Sequence, residues 1–257
     1  MSGVQRRRWP WVLLGLLALL GAGIATLPAE IAWRWLLSGR LAGVEMMGLG
    51  GTVWAGHATD VRIRGASLGS LRWQLDASSL LRGAPQLVLH LGGPALTGEA
   101  HVRRIAGGVL ELPAATLSAD ARWIGPLLGL PLMQPQGQAS LSATAVQIDP
   151  DGVPRGGRVE VRWQQAALTG LVQAALGEVQ IQAQGQERRW MGTVRNSAGG
   201  PLAIDGGFSL VERQYNAEIR LKALAPDDPV VQLLPQIAVP QADGSWLLRI
   251  EGQLLPL

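Results

Sequence analysis

The chain has 257 residues, 47% hydrophobic and 16% charged, which excludes a disordered polypeptide and allows one or two domains with a real core. Its 22 basic residues against 19 acidic ones give a net charge of +3 and a pI of about 10.4, yet Arg6, Arg7 and Arg8 alone account for the excess. Beyond them the charge balances, so a nucleic-acid surface lacks its electrostatic basis, and without cysteine there is no disulfide framework, thiolate nucleophile or cysteine-held metal centre.

The first element is a membrane span. Trp11 to Leu27 reads WVLLGLLALLGAGIATL, without a charge, directly after the arginine triplet. A helix over 9–32, at about 1.5 Å per residue, covers a hydrocarbon core of roughly 30 Å. Trp9 and Trp11 mark one rim and Trp33 and Trp35 the other, the aromatic-belt arrangement of interfacial indoles. The positive-inside rule keeps Arg6, Arg7 and Arg8, and with them residues 1–8, in the cytoplasm. It sends the remainder across the membrane, which in a bacterium means the periplasm. Ala18, Ala22 and Thr26 form a small-residue stripe that would let another helix approach. The competing reading is a cleaved signal peptide, with Gly23-Ile24-Ala25 as a small-x-small cleavage site. Residues 33–44 read as a juxtamembrane helix or linker.

After Gly39 the hydrophobic period changes to two. Val61 and Ile63 alternate with arginines, as do Val159, Val161 and Trp163 with Arg158, Glu160 and Arg162. Val179, Ile181 and Ala183 alternate with glutamines, and the same pattern recurs in 87–91, 217–221 and 248–251. Short alternating runs separated by Gly and Pro predict half-buried strands of an antiparallel sheet. Turns are expected at Asp149-Pro150-Asp151-Gly152, Gly199-Gly200-Pro201 and Asp205-Gly206-Gly207. Short helices or turns are expected over 78–82, 123–130 and 227–234, the last with Asp228 as N-cap and Pro229 at the first helical position. A weak internal repeat places a tryptophan, Trp73 or Trp163, on the second strand of a hairpin that begins at Gly56 or Gly137. The fold class is therefore mainly β: a single N-terminal helix, then two related units of antiparallel sheet, 45–130 and 131–257, packed into one body whose apolar faces are expected to bury each other as a core, with an open or twisted sheet as the alternative.

Catalytic chemistry finds no constellation. His57, His90 and His101 are too few and scattered for a zinc site, although His90 and His101 could meet across a hairpin. Gly65-Ala66-Ser67-Leu68-Gly69 matches the bare nucleophile-elbow string, but it joins two alternating segments and reads better as a hairpin turn. Asp227-Asp228 precede Pro229 as a helix start rather than an acid–base pair, and Lys222 is not part of a phosphate loop. Trp73, Trp163 and Trp246 sit in alternating text and read as core. No catalytic, metal or cofactor residue is assigned, and the chain is read as a non-enzyme.

Gly50-Gly51-Thr52-Val53-Trp54-Ala55-Gly56-His57-Ala58, the later segments 69–75 and 80–83, Gly157 to Trp163, Gly206 to Leu210 and Trp246 to Gly252 together resemble the type II secretion system protein N family. The likeness implies a cytoplasmic N-terminus, one inner-membrane span and a β-rich periplasmic body. It further implies an accessory structural or interaction subunit of the apparatus that exports folded proteins across the outer membrane. Expected partners are other inner-membrane subunits of that apparatus and inner-membrane lipids, with self-association left open and no nucleic acid. The alternative is a periplasmic lipid-handling module of the AsmA-like kind, whose apolar sheet face would form a groove rather than a closed core.

Overall fold

The computed structural model describes residues 26–34, 44–63, 65–94, 96–123, 133–170, 173–197 and 200–253. Alternation, turn chemistry and glycine placement build these into fifteen strands: β1 (Val44–Met47), β2 (Gly50–Gly51), β3 (Ala55–Ile63), β4 (Ala66–Asp76), β5 (Gln86–Gly92), β6 (Leu96–Arg104), β7 (Leu110–Asp120), β8 (Met133–Ile148), β9 (Pro154–Gly170), β10 (Ala174–Gln186), β11 (Arg189–Asn196), β12 (Leu202–Val211), β13 (Gln214–Ala223), β14 (Val239–Pro240) and β15 (Trp246–Gln253). All lie in one antiparallel sheet, ordered β1-β3-β4 and then consecutively to β13, followed by β15 and β14, with β2 paired to β3. Strands from the two expected units, 45–130 and 131–257, join this same sheet, because β7 pairs β8 over nearly its whole length.

The register aligns the alternation of neighbouring strands. One row of directly opposed residues reads Ala58, Leu71, Leu91, Gly98, Leu117 and Leu141 from β3 to β8. It continues as Val161, Ile181, Val194, Gly206, Ile219 and Leu248 from β9 to β15. An apolar row thus crosses twelve strands unbroken. Since side chains alternate across the sheet, the adjacent residue in each strand faces the other way. That opposite row starts with His57, Arg72, His90 and Glu99 and passes through Thr116, Ser142, Glu160 and Gln182. The core lies in four patches on the apolar side, centred on Ala58 and Leu71, on Ala115 and Ala143, on Ala166 and Val179, and on Leu202 and Leu221.

Helices are short and serve the sheet. Asp76 caps α1 (Ala77–Leu81), its Oδ1 accepting the Ser78 N–H at 2.9 Å. The buried Ser79 hydroxyl donates to the Asp76 carbonyl and accepts the Gln86 N–H at 2.8 Å, which ties the helix to β5. The 227–234 segment forms turns and a 3-10 stretch over Val231–Leu233 before α2 (Leu234–Ile237) begins. The N-cap role expected of Asp228 becomes a turn contact, with Oδ1 accepting the Val230 N–H at 2.9 Å. Pro235 at the start of α2 takes the helix-initiating place expected of Pro229. Leu234, 1% exposed, packs with Leu202 and Leu221 and covers the apolar side of β12 and β13.

Of the expected turns, Asp149 to Gly152 forms, the Gly152 N–H donating to the Asp149 carbonyl at 2.9 Å, and its carboxylates hold Arg188 of the next hairpin at 2.7 and 3.1 Å. Gly200 and Pro201 lie in the β11–β12 connection, and residues 198–199 are outside the described residues. Asp205-Gly206-Gly207 is a correction: it lies within β12. A Cβ on Gly206 would meet the Glu218 carbonyl at 2.6 Å, so this glycine marks close strand approach rather than a reversal. The helical expectation over 123–130 lies outside the described residues beyond Trp123.

Candidate interaction surface

The site follows from the two faces of the sheet and from the segment that precedes it. Residues 26–34 dock on the first strands: the Val53 N–H donates to the Leu27 carbonyl at 3.1 Å, Pro28 bridges Thr52, and Ala29 is 4% exposed. The last residues of the expected 9–32 span therefore lie against the sheet. Trp33, expected at the outer membrane rim, lines an apolar cavity of about 260 Å³ together with Ala29, Leu71, Trp73, Leu87 and Leu89. Arg6, Arg7, Arg8, Trp9, Trp11 and Trp35 lie outside the described residues. Among the described residues no helix is long and apolar enough to cross a membrane.

Indole placement repeats along the apolar side. The Trp73 Nε1–H donates to the Val53 carbonyl at 3.2 Å, that of Trp163 to Gln136 at 2.8 Å and that of Trp190 to Pro154 at 3.0 Å. Each ring thereby reaches the backbone of another segment, that of Trp190 crossing the intervening β10, and leaves no unpaired indole donor. Asn196, which faces the same way opposite Val179, donates to the Leu176 and Leu202 carbonyls at 2.9 and 2.8 Å and accepts the Ile204 N–H at 2.7 Å. Sequence reasoning missed Asn196 and the contact of Trp33 with this cavity, since both need a long-range register that no local pattern carries.

Exposed charges populate the other face. Glu99 lies between His90 and His101, with Oε2 to Nδ1 at 3.5 Å and Oε1 to Nε2 at 2.7 Å, so the two histidines meet through a carboxylate rather than directly. Arg103 reaches the buried Glu111 at 2.7 Å, whereas Arg162 pairs with Glu178 at 3.3 Å and Arg249 with Glu218 at 3.1 Å in the open. Exposed pairs of this kind add little to the stability of the fold. A concavity of about 740 Å³ on this side is lined by Arg158, Glu160, Gln182, Gln184, Arg189 and Met191, and Met191 is 73% exposed.

Ser67 lies on β4, and its hydroxyl donates to Asp60, whose carboxylate also receives the Arg62 Nε at 2.9 Å. These hydrogen bonds, Ser67 first, hold the Asp60 carboxyl below the usual range. With Gly65 at positive φ before it, the segment is a hairpin turn rather than a nucleophile elbow. Among the described residues no group of three or more His, Asp or Glu side chains is placed to hold a metal ion.

A one-sheet meander with a charged face and an apolar face, and an N-terminal segment docked at its first strands, defines a β scaffold with two chemically distinct sides. Residues 42–249 match the family described as Type II secretion system (T2SS), protein N, and the chain belongs to that family. It is similar to the type II secretion system protein N of Aeromonas hydrophila, 27% identical over 248 residues, which span 94% of the chain and 96% of that relative. The Vibrio cholerae serotype O1 protein of the same name is 28% identical over 265 residues, spanning 97% of the chain and 100% of the relative. That of Klebsiella pneumoniae is 31% identical over 134 residues, about half of each chain (49% and 50%). No solved structure matches the chain.

Proposed function

We propose that this component of the type II secretion system is a non-enzymatic, accessory interaction subunit, anchored in the inner membrane by residues preceding Leu27, with its sheet in the periplasm. The observation that carries the reading is the docking of Leu27 to Trp33 on the first strands, immediately after the uncharged run from Trp11. An anchor over 9–26 has 18 residues, within the roughly 17–25 that a spanning helix needs. Arg6, Arg7 and Arg8 then hold the N-terminus in the cytoplasm, Trp9 and Trp11 mark the inner rim, and Trp33 and Trp35 follow the outer one. The charged face, with the exposed Met191 in its concavity, is the surface offered to the other inner-membrane subunits.

Two measurements test this. Tagged full-length protein, solubilised in mild detergent, should co-purify with inner-membrane secretion subunits, and Met191→Glu should reduce their recovery. Failure to retain any of them speaks against the subunit role. In the cysteine-free chain, Gln182→Cys should react with a membrane-impermeant maleimide in spheroplasts while Ser2→Cys stays protected. The reverse pattern, or an N-terminus missing from the intact mass, removes the anchor.

A further inference from the structure

The apolar face has a chemistry that the charged-face contacts do not use. Its twelve-strand row is half-buried at Leu117, Leu141, Val161, Ile181 and Val194, and Ile250 beside it is 41% exposed. Among the described residues, the largest side chains under 2% exposed are Leu234 and Ser79, both outside the strands. The sheet therefore leaves a long hydrocarbon surface partly open between its four buried patches. At about 4.8 Å per strand, the row runs roughly 50 Å along the sheet.

What could lie on such a surface is set by hydrogen bonding. Beside the row, Asn196 and the indoles of Trp73, Trp163 and Trp190 already have their donors bound to backbone carbonyls. A peptide segment laid there would bury its own N–H and C=O groups against hydrocarbon without partners. An acyl chain has no such groups. Access is set by position: the cavity of about 260 Å³ at the start of the row is roofed by Ala29 and Trp33, which directly follow the uncharged run of 11–27. We propose that acyl chains of membrane lipids enter the cavity between Trp33 and Trp73 and lie along the apolar face. The lipid site goes beyond the subunit role and uses the opposite side of the sheet.

The test uses full-length protein in nanodiscs and two single-cysteine variants, Leu141→Cys and Ser142→Cys. These are sequence neighbours on opposite faces, four strands from the cavity-lining β4. Each carries a bimane label, and the phospholipids are brominated along their acyl chains. The Leu141 label should lose roughly half its emission to an apposed acyl chain, with the Ser142 label unchanged. No quenching, or equal quenching of both, overturns the proposal. Shielding of the Leu141 label by co-expressed secretion subunits alone, without brominated-lipid quenching, assigns the face to a protein and also overturns it. As a second measurement, wild-type protein should retain phospholipid in native mass spectrometry, and Leu89→Trp, which fills the cavity, should lose most of it, whereas Gln74→Trp on the charged face should not. Retention unchanged in a folded Leu89→Trp protein counts against the site. Co-purification of secretion subunits, read on the same samples, separates failure of the lipid site from failure of the subunit role.

Discussion

Four aromatic rings lie over glycines directly opposite them: Trp73 over Gly56, Trp190 over Gly185, Phe208 over Gly192 and Tyr215 over Gly252. A Cβ at any of these glycines would run into the facing ring, so the missing side chain is what admits the ring onto the strand. Trp190→Ala should then cost about 3–5 kcal/mol in chemical denaturation, since it strips a 6%-exposed ring from the core. Trp73→Phe keeps a ring over Gly56 and loses the bond to Val53, at about 1 kcal/mol. None of these pairings was legible in the sequence, because opposed residues are known only once register is known; Gly56 read as the start of a hairpin and Gly206 as a turn. Carboxylates give a pH dependence of definite sign. Serine hydroxyls hold Asp60, Asp76 and Asp243 below the ordinary range, through Ser67, Ser78 and Ser245 respectively. A depressed folded-state value means the ionised form is favoured by folding, so this contribution is present above the unfolded value near 3.9 and is lost as pH falls through the lowered values. Denaturation midpoints should be flat from neutral pH down to about 5 and drop below about 4, and Asp60→Asn with Asp76→Asn should flatten that drop.

Among elements, strands with clean alternation were legible: Val159 to Trp163, Val179 to Ala183 and Ala217 to Leu221 all lie in strands with the expected face inward. What obscured the rest was the bulge. In β8 the buried positions Ala143 and Val146 are three apart because Ala145 takes a positive φ of 51°. In β9, Gln164 and Gln165 are both exposed before the buried Ala166, again with a φ of 51° at Gln165. Each inserted residue reverses the phase of a period-two pattern, so long strands read as short ones. Opposite faces of one strand make the energetic test. Val161→Arg puts a charge on the apolar row and should lower stability by a few kcal/mol, whereas Glu160→Arg should stay within about 0.5 kcal/mol, both read from urea midpoints.

At the scale of the molecule, almost every strand pairs only with its sequence neighbours. Stability in such an array is close to a sum of adjacent pairings, as in repeat proteins. Ile181→Pro removes a ladder donor in the centre of β10 and should split one cooperative unfolding into two. Hydrogen exchange would then report β3–β9 and β11–β15 opening separately, and a single retained transition would show tighter coupling than the pairing implies. The candidate surface was legible as a tendency, in apolar residues at every second position. Its continuity over twelve strands was not, since that needs eleven registers to agree. The cavity at Trp33 was hidden for a related reason: the indole's apolar surroundings suggested a bilayer rim, whereas part of that surrounding is the protein's own Trp73 and Leu89.

Because β3 through β13 follow one another in strict order, residue number doubles as a coordinate of reach. Each hairpin carries the chain about 10 Å further along the sheet from the docked Leu27–Trp33 segment. A relative that gained or lost one hairpin would change its span in steps of that size without altering either end. The protein is, in this sense, graduated like a gauge, and its length in strands sets how far from its anchor the last contact can be made.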